Sequence, residues 1–95
     1  MRNFEMCRRA AKSASGAKMT LIYSITVDEL TNPVNGAELE DYGACVRVSE
    51  SGESACVRHI TPVSSKIFAL TGLLSENTVT PTTLRDIVCD WLNRA

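Results

Sequence analysis

Residues 42–61 read YGACVRVSESGESACVRHIT, and this stretch decides the fold. Apolar and polar residues alternate on both sides of Ser51-Gly52, a pattern that predicts two half-buried strands joined by a hairpin. Glycine supplies the positive φ that tight hairpin turns need, so we expect a two-residue loop at Ser51-Gly52. In that register Val46 faces Val57 on the side of the core.

The same register assigns the histidine and two of the four cysteines. His59, the only histidine, is expected opposite Ala44 on the core face, which indicates a structural side chain rather than a catalytic base. Cys45 and Cys56 share the outer face as diagonal neighbours, about 7–8 Å apart. A disulfide needs Cα atoms closer than about 7 Å, so we expect free thiols. The cysteine spacing contains no Cys-x-x-Cys pair, and no metal site is predicted.

Residues 19–27 supply a further strand with the same alternation. The apolar odd positions are Met19, Leu21, Tyr23, Ile25 and Val27. They share a face with the even positions of the next strand only if Val27 lies opposite Tyr42 and Ile25 opposite Ala44. We therefore expect the three strands to form an antiparallel meander.

The remaining residues change to a helical period. An apolar stripe predicts a helix over residues 65–76, capped by Ser64 or by Thr61 and ended by Asn77 in the left-handed conformation. A second helix is expected to begin at Thr80. Its expected buried face consists of Leu84, Ile87, Val88, Trp91 and Leu92. The sequence thus predicts an α+β fold, a three-stranded antiparallel meander followed by two C-terminal helices packed on one face, βββαα.

Charge divides the chain into two parts. Residues 1–18 carry five basic side chains and one acidic side chain, a net charge of +4, whereas residues 19–95 carry a net charge of −5. Phe4, Cys7 and Ala11 recur at helical spacing, but the pattern then fades into small residues. We interpret residues 1–18 as a basic arm, weakly helical or disordered, and residues 19–95 as a single α+β domain. The basic residues that could contact nucleic acid are Arg2, Arg8, Arg9, Lys12 and Lys18.

Length and composition limit the function. Ninety-five residues suit one small domain, which has little room for a deep substrate cavity. No apolar run is long enough to cross a membrane, and no apolar segment typical of a secretory signal follows the first basic residues. We expect a cytoplasmic protein that carries no cofactor.

The segment VTPTTLRDIVCDWL, residues 79–92, resembles the C-terminal signature V-T-P-x-x-L-R-D-V-V-E-D-[FW]-L of a small bacterial domain of unknown function. That family is found in Firmicutes, chiefly clostridia. Upstream, Leu21-Ile22-Tyr23, Tyr42-Gly43 and His59-Ile60-Thr61 follow in a similar order. The resemblance covers residues 19–92 and leaves out the basic arm. Cys89 departs from an expected acid, and Phe68 departs from an expected polar residue. The resemblance implies a cytoplasmic bacterial protein and offers no catalytic residue.

Exposed apolar residues suggest a contact surface. Four of them are expected on the sheet face that the helices leave uncovered, and one on the first helix: Ile22, Cys45, Cys56, Ile60 and Phe68. The main hypothesis is a non-enzymatic module that contacts a protein partner or a second copy through this patch. The alternatives are nucleic-acid binding through the basic arm and a small enzyme that uses His59.

Overall fold

A computed structural model describes residues 2–31 and 33–94, so the predicted limits at residues 1 and 95 lie outside the described residues. The elements in chain order are β1 (Arg2–Lys12), β2 (Lys18–Thr31), β3 (Glu38–Val48), β4 (Ser54–Thr61), α1 (Ser64–Glu76) and α2 (Leu84–Arg94). The strands form one sheet of order β1-β2-β3-β4 with antiparallel neighbours. The α+β class is as expected, but the prediction of three strands is wrong because the sheet has four.

The additional strand, β1, comes from the segment that was interpreted as a weakly helical or disordered arm. It pairs with β2 along its length, with Phe4 opposite Ile25 and Cys7 opposite Tyr23. Met6 is the extra residue of a β-bulge between Glu5 and Cys7. The bulge shifts the alternation by one residue, and Phe4 and Cys7 therefore share a face at a spacing that resembles a helix.

The core lies between the inner face of the sheet and the two helices. Its buried residues are Leu21, Tyr23, Ile25, Val27, Ala44, Val46, Val48, Ile67, Leu70, Leu74, Val79, Leu84 and Val88. The Tyr23 hydroxyl donates a hydrogen bond of 2.9 Å to the carbonyl oxygen of Val79, which fixes the connection between α1 and α2 on the sheet. Burial raises the pKa of Tyr23 to about 12, so this hydroxyl stays a donor.

Alternation predicts one strand register correctly and the other incorrectly. In the β2–β3 pair, Val27 lies opposite Tyr42 as expected. In the β3–β4 pair, Val46 lies opposite Ala55 rather than Val57. The Val48 amide donates to the Glu53 carbonyl at 2.8 Å. Residues 49–52 between this pair therefore form a loop of four residues instead of the predicted two. A slip of two residues keeps every side chain on its face, so the burial pattern cannot detect it.

The helix ends differ from both capping alternatives. The N-cap of α1 is Val63, without a side-chain cap, and the Thr61 hydroxyl instead accepts the Val63 amide at 3.2 Å. The left-handed residue after α1 is Thr78, with φ 47°, and not Asn77. A turn precedes α2, which begins at Leu84 rather than at residue 80. Within the described ranges, neither helix is long and apolar enough to cross a membrane.

Candidate functional site

A second bulge, in β4, moves His59 to the outer face of the sheet. The β3–β4 register shifts between Tyr42 and Ala44, so more than one residue of β4 lies across from Gly43. His59 takes a positive φ of 58° at this point, and its side chain is 51% exposed. The prediction that His59 lies on the core face opposite Ala44 is therefore wrong. Ile60, in turn, packs against the core rather than on the outer face.

Gly43 permits the close approach of the two strands at the bulge. A Cβ atom at this position would overlap the carbonyl oxygen of Val57, the hydroxyl oxygen of Thr26 and the Cα atom of Arg58. Backbone and buried atoms cannot move aside as a flexible side chain does. The absence of a side chain at residue 43 therefore allows the bulge that turns His59 outward.

His59 joins an outer-face charge cluster that consists of Asp28, Asp41, Arg58 and His59. Arg58 binds the Asp28 carboxylate with two nitrogens, at 2.6 and 3.1 Å. His59 Nδ1 lies 2.8 Å from an oxygen of Asp41, while its Nε2 lies 3.9 Å from Asp28. The hydrogen bond from Arg58 lowers the pKa of Asp28, and the same bond raises the pKa of Arg58.

Each acid of this cluster has a partner side chain on β4. Asp28 and Asp41 lie directly opposite each other on β2 and β3, where two carboxylates repel unless cations neutralise them. Arg58 on β4 neutralises Asp28, and His59 on β4 forms a hydrogen bond with Asp41, so the cluster ties the edge strand to the centre of the sheet. Among residues 2–31 and 33–94, no group of three His, Cys, Asp or Glu side chains is placed to hold a metal ion.

Cys45 and Cys56 form a disulfide on the same outer face. They lie directly opposite each other, with a Cα–Cα distance of 4.1 Å. The prediction of free thiols is wrong because it placed the two residues in a diagonal register. Cys45 is 6% exposed and Cys56 is exposed, while Cys7 and Cys89 are free thiols.

The five residues predicted to form a contact patch do not share one surface. Ile22 and Cys45 are on the outer face but buried, at 3% and 6% exposure, and only Cys56 is open to solvent there. Ile60 packs on the core. Phe68, on α1, is 53% exposed and lies on the opposite side of the sheet.

Phe68 belongs instead to an apolar groove between β1 and α1, which we call the β1–α1 groove. Its exposed rim consists of Phe4, Met6 and Phe68, at 50%, 42% and 53% exposure. The groove encloses about 380 Å³, and the inner face of the sheet and α1 form its floor through Ile25, Val27, Tyr42 and Ile67. Sequence reasoning missed Phe4 and Met6 because it treated their segment as an arm. The bulge at Met6 interrupts the period of two, so no local pattern in the sequence identifies this rim.

Arg2 lies at one end of the β1–α1 groove and is held by acids of the neighbouring strands. Its Nη2 atom lies 3.1 Å from Glu29 and 3.2 Å from Glu40, and its guanidinium lies 5.8 Å from the centre of the Phe4 ring. The guanidinium thus contacts the exposed ring and two acids at once.

The basic residues predicted as a nucleic-acid arm are divided between two faces. Arg2 and Arg9 lie opposite the inner-face residues Val27 and Leu21. Arg8 lies on the outer face and binds Glu5 at 2.9 Å with two nitrogens. Lys12 and Lys18 lie opposite each other at the start of the hairpin. These positions form no single basic face of the kind that follows a nucleic-acid backbone.

Comparison with known proteins gives one family. The model described as "Family of unknown function (DUF6514)" matches residues 2–94. The chain belongs to this family. The DUF6514 match includes β1, whereas the resemblance noted in the sequence began at residue 19. No curated protein and no solved structure matches the chain.

Proposed function

We propose that this DUF6514 chain is a non-enzymatic interaction module that binds an extended, acidic segment of a partner protein along β1. An apolar side chain of that segment occupies the β1–α1 groove. The observation that carries the proposal is the exposure of Phe4, Met6 and Phe68 around one groove beside an edge strand. A bacterial, Firmicutes origin and a cytoplasmic location are part of the proposal, and they rest on the resemblance of residues 79–92.

The position of β1 supports an extended ligand. β1 has β2 on one side and, among the described residues, no strand on the other. Amide and carbonyl groups along such an edge can pair with an added strand. Side chains of an added strand alternate between the two faces, so every second residue would lie beside the rim formed by Phe4 and Met6.

Charge supports an acidic partner over a second copy of the chain. β1 carries Arg2, Arg8, Arg9 and Lys12 against Glu5 alone. Two β1 strands side by side would bring these like charges together, which disfavours a homodimer through this edge. An acidic strand would meet all four with opposite charge, and it would share Arg2 and Arg8 with acids of this chain that already bind them.

Non-enzymatic function is supported by the state of the candidate catalytic groups. His59, which pairs with Asp41, could act as a general base. Catalysis on this face would also need a nucleophile or a substrate pocket at the histidine. The two cysteines of this face are joined to each other. The residues that line the β1–α1 groove do not include His59.

The test measures binding of a short fluorescent peptide in which glutamate and valine alternate, with a lysine–valine peptide as its charge control. Titration with the full chain is followed by fluorescence anisotropy. We expect saturable binding of the glutamate–valine peptide and no binding of the lysine–valine peptide. In NMR spectra of the protein, the amide chemical-shift changes should be concentrated on β1. Phe68→Asp should weaken binding by at least about tenfold.

Leu73→Asp is the matched control, because Leu73 is also on α1 and 40% exposed but does not line the groove. It should leave binding unchanged. Equal binding of both peptides, or equal loss with both variants, would contradict the proposal. Light scattering that shows a dimer broken by Phe68→Asp would place a second copy in the groove instead. Salt-sensitive binding of DNA or RNA, lost when the basic residues of β1 are replaced, would favour the nucleic-acid alternative.

A further inference from the structure

We propose that Cys45 and Cys56 form a reversible redox site, which exchanges with thiolate reductants while the sheet stays folded. The inference is independent of the β1–α1 groove, because the disulfide lies on the opposite face of the sheet. It assigns a modification chemistry to the outer face, where the reactants are a thiol and its disulfide.

Other contacts hold this hairpin in addition to the cross-link. The disulfide closes a loop with a sequence separation of only 11 residues, and short loops gain the least from a cross-link in the chain-entropy description. The hairpin is closed independently by the backbone hydrogen bond between Val48 and Glu53 and by Arg58 binding to Asp28 on β2. Inner-face residues of both strands also pack on the core, which contains neither cysteine.

The two cysteine residues differ in solvent exposure. Cys56 is exposed, whereas Cys45 is 6% exposed. Both border an outer-face cavity of about 360 Å³ whose lining includes Asn3, Glu5, Arg47 and Ser54. A thiolate from solvent therefore reaches Cys56 Sγ first, and Cys45 becomes the leaving group.

Two polar side chains lie where they can stabilise the thiolate of Cys45 when it leaves. The Asn3 side-chain amide donates to Cys45 Sγ at 3.9 Å. Arg47 is two residues from Cys45 on the same face of β3 and borders the same cavity. A hydrogen-bond donor and a positive charge both favour the thiolate form of a cysteine. Asn3 is on β1 and Cys45 is on β3, so the hydrogen-bond donor to the leaving thiolate comes from another strand.

The exchange is balanced in two steps. One reductant thiolate attacks Cys56 Sγ; a new S–S bond forms, the Cys45–Cys56 bond breaks, and Cys45 leaves as a thiolate. A second reductant thiol then attacks the reductant sulfur of this mixed disulfide and releases Cys56. The cysteine pair gains two electrons and, with protons from water, becomes a dithiol, while the reductant becomes a disulfide. Oxidised reductant drives the reverse reaction.

The experiment equilibrates the native full chain with mixtures of reduced and oxidised glutathione, quenches with an alkylating reagent and maps each cysteine by mass spectrometry. We expect the pair to change from disulfide to dithiol across these mixtures, with glutathione trapped transiently on Cys56. Circular dichroism should show cooperative unfolding in both states. A parallel reaction with a dithiol oxidoreductase distinguishes a small thiol from a protein as the faster reductant.

Two variants test the role of the neighbours. Asn3→Ala and Arg47→Gln should each slow reduction by about three- to tenfold. Arg9→Gln, on the inner face, is the control and should not change the rate. A disulfide that resists every glutathione mixture until denaturant is added would overturn the proposal, as would thiols that never oxidise. Loss of the fold upon reduction would overturn it as well.

Discussion

The two edge strands of the sheet are protected by different means. β4 is joined to β3 by a disulfide, is joined to β2 by the Arg58–Asp28 pair, and continues directly into α1. β1 has neither a disulfide nor a helix attached to it, and it carries four basic side chains against one acid; both edge strands contain a bulge. Charges and bulges discourage uncontrolled strand pairing without filling the edge. We call β4, which is cross-linked to its neighbours, the closed edge, and β1, along which we propose that a partner binds, the open edge.

The prediction with the largest expected effect on stability concerns the bulge of the closed edge. Gly43→Ala should lower the free energy of unfolding by about 2–3 kcal/mol, because the added Cβ atom meets the Val57 carbonyl and the Thr26 hydroxyl. Urea denaturation measures this change. Gly72→Ala is the control, since residue 72 has open space and lies within α1, where alanine should stabilise the helix by about 0.5–1 kcal/mol. Similar effects of the two substitutions would show that the strands do not approach closely at Gly43.

The second prediction tests the ionic link of the closed edge. The pKa of Asp28 is lowered by Arg58 in the folded protein, so the carboxylate stabilises the fold at pH values above the ordinary carboxyl range. This contribution is lost as the pH falls through the lowered pKa. Asp28→Asn should therefore reduce the free energy of unfolding at pH 7, and the difference from the native chain should shrink in acid.

Urea denaturation at several pH values measures this dependence. Asp90→Asn serves as the control because Asp90 forms an exposed helix-surface pair with Arg94, and such pairs contribute little. A difference between Asp28→Asn and the native chain that is independent of pH would contradict the ionic explanation.

The closed edge also shows what the sequence can predict. Alternation predicts the β2–β3 register, because a shift of one residue would expose residues such as Tyr23 and Val27. It cannot distinguish a two-residue loop from a four-residue loop at Ser51-Gly52, because both place the same side chains on the same face. With the two-residue loop Cys45 and Cys56 would be diagonal neighbours with free thiols. With the four-residue loop they lie opposite each other and form a disulfide.

The open edge was harder to predict for a different reason. β1 has basic side chains on both faces and a bulge at Met6, so neither a period of two nor an apolar face continues along it. The β1–α1 groove is also formed by residues from distant parts of the chain, and no local pattern predicts such a meeting. The position of Arg58 is easier to rationalise: the β2–β3 register places Asp28 opposite Asp41, and two facing acids favour a nearby cation.

The smallest expected effect concerns the open edge and completes the comparison. Phe4→Ser should lower the free energy of unfolding by less than about 1 kcal/mol, because the ring is half exposed and few of its contacts are lost. The same substitution should remove most binding of the glutamate–valine peptide. Leu39→Ser is the matched control: Leu39 is 53% exposed on β3 and lies outside the groove, so it should have an equally small effect on stability and leave peptide binding intact. A large stability loss with Phe4→Ser would mean that Phe4 holds the edge strand in place, and the open edge would then be structural rather than a binding surface.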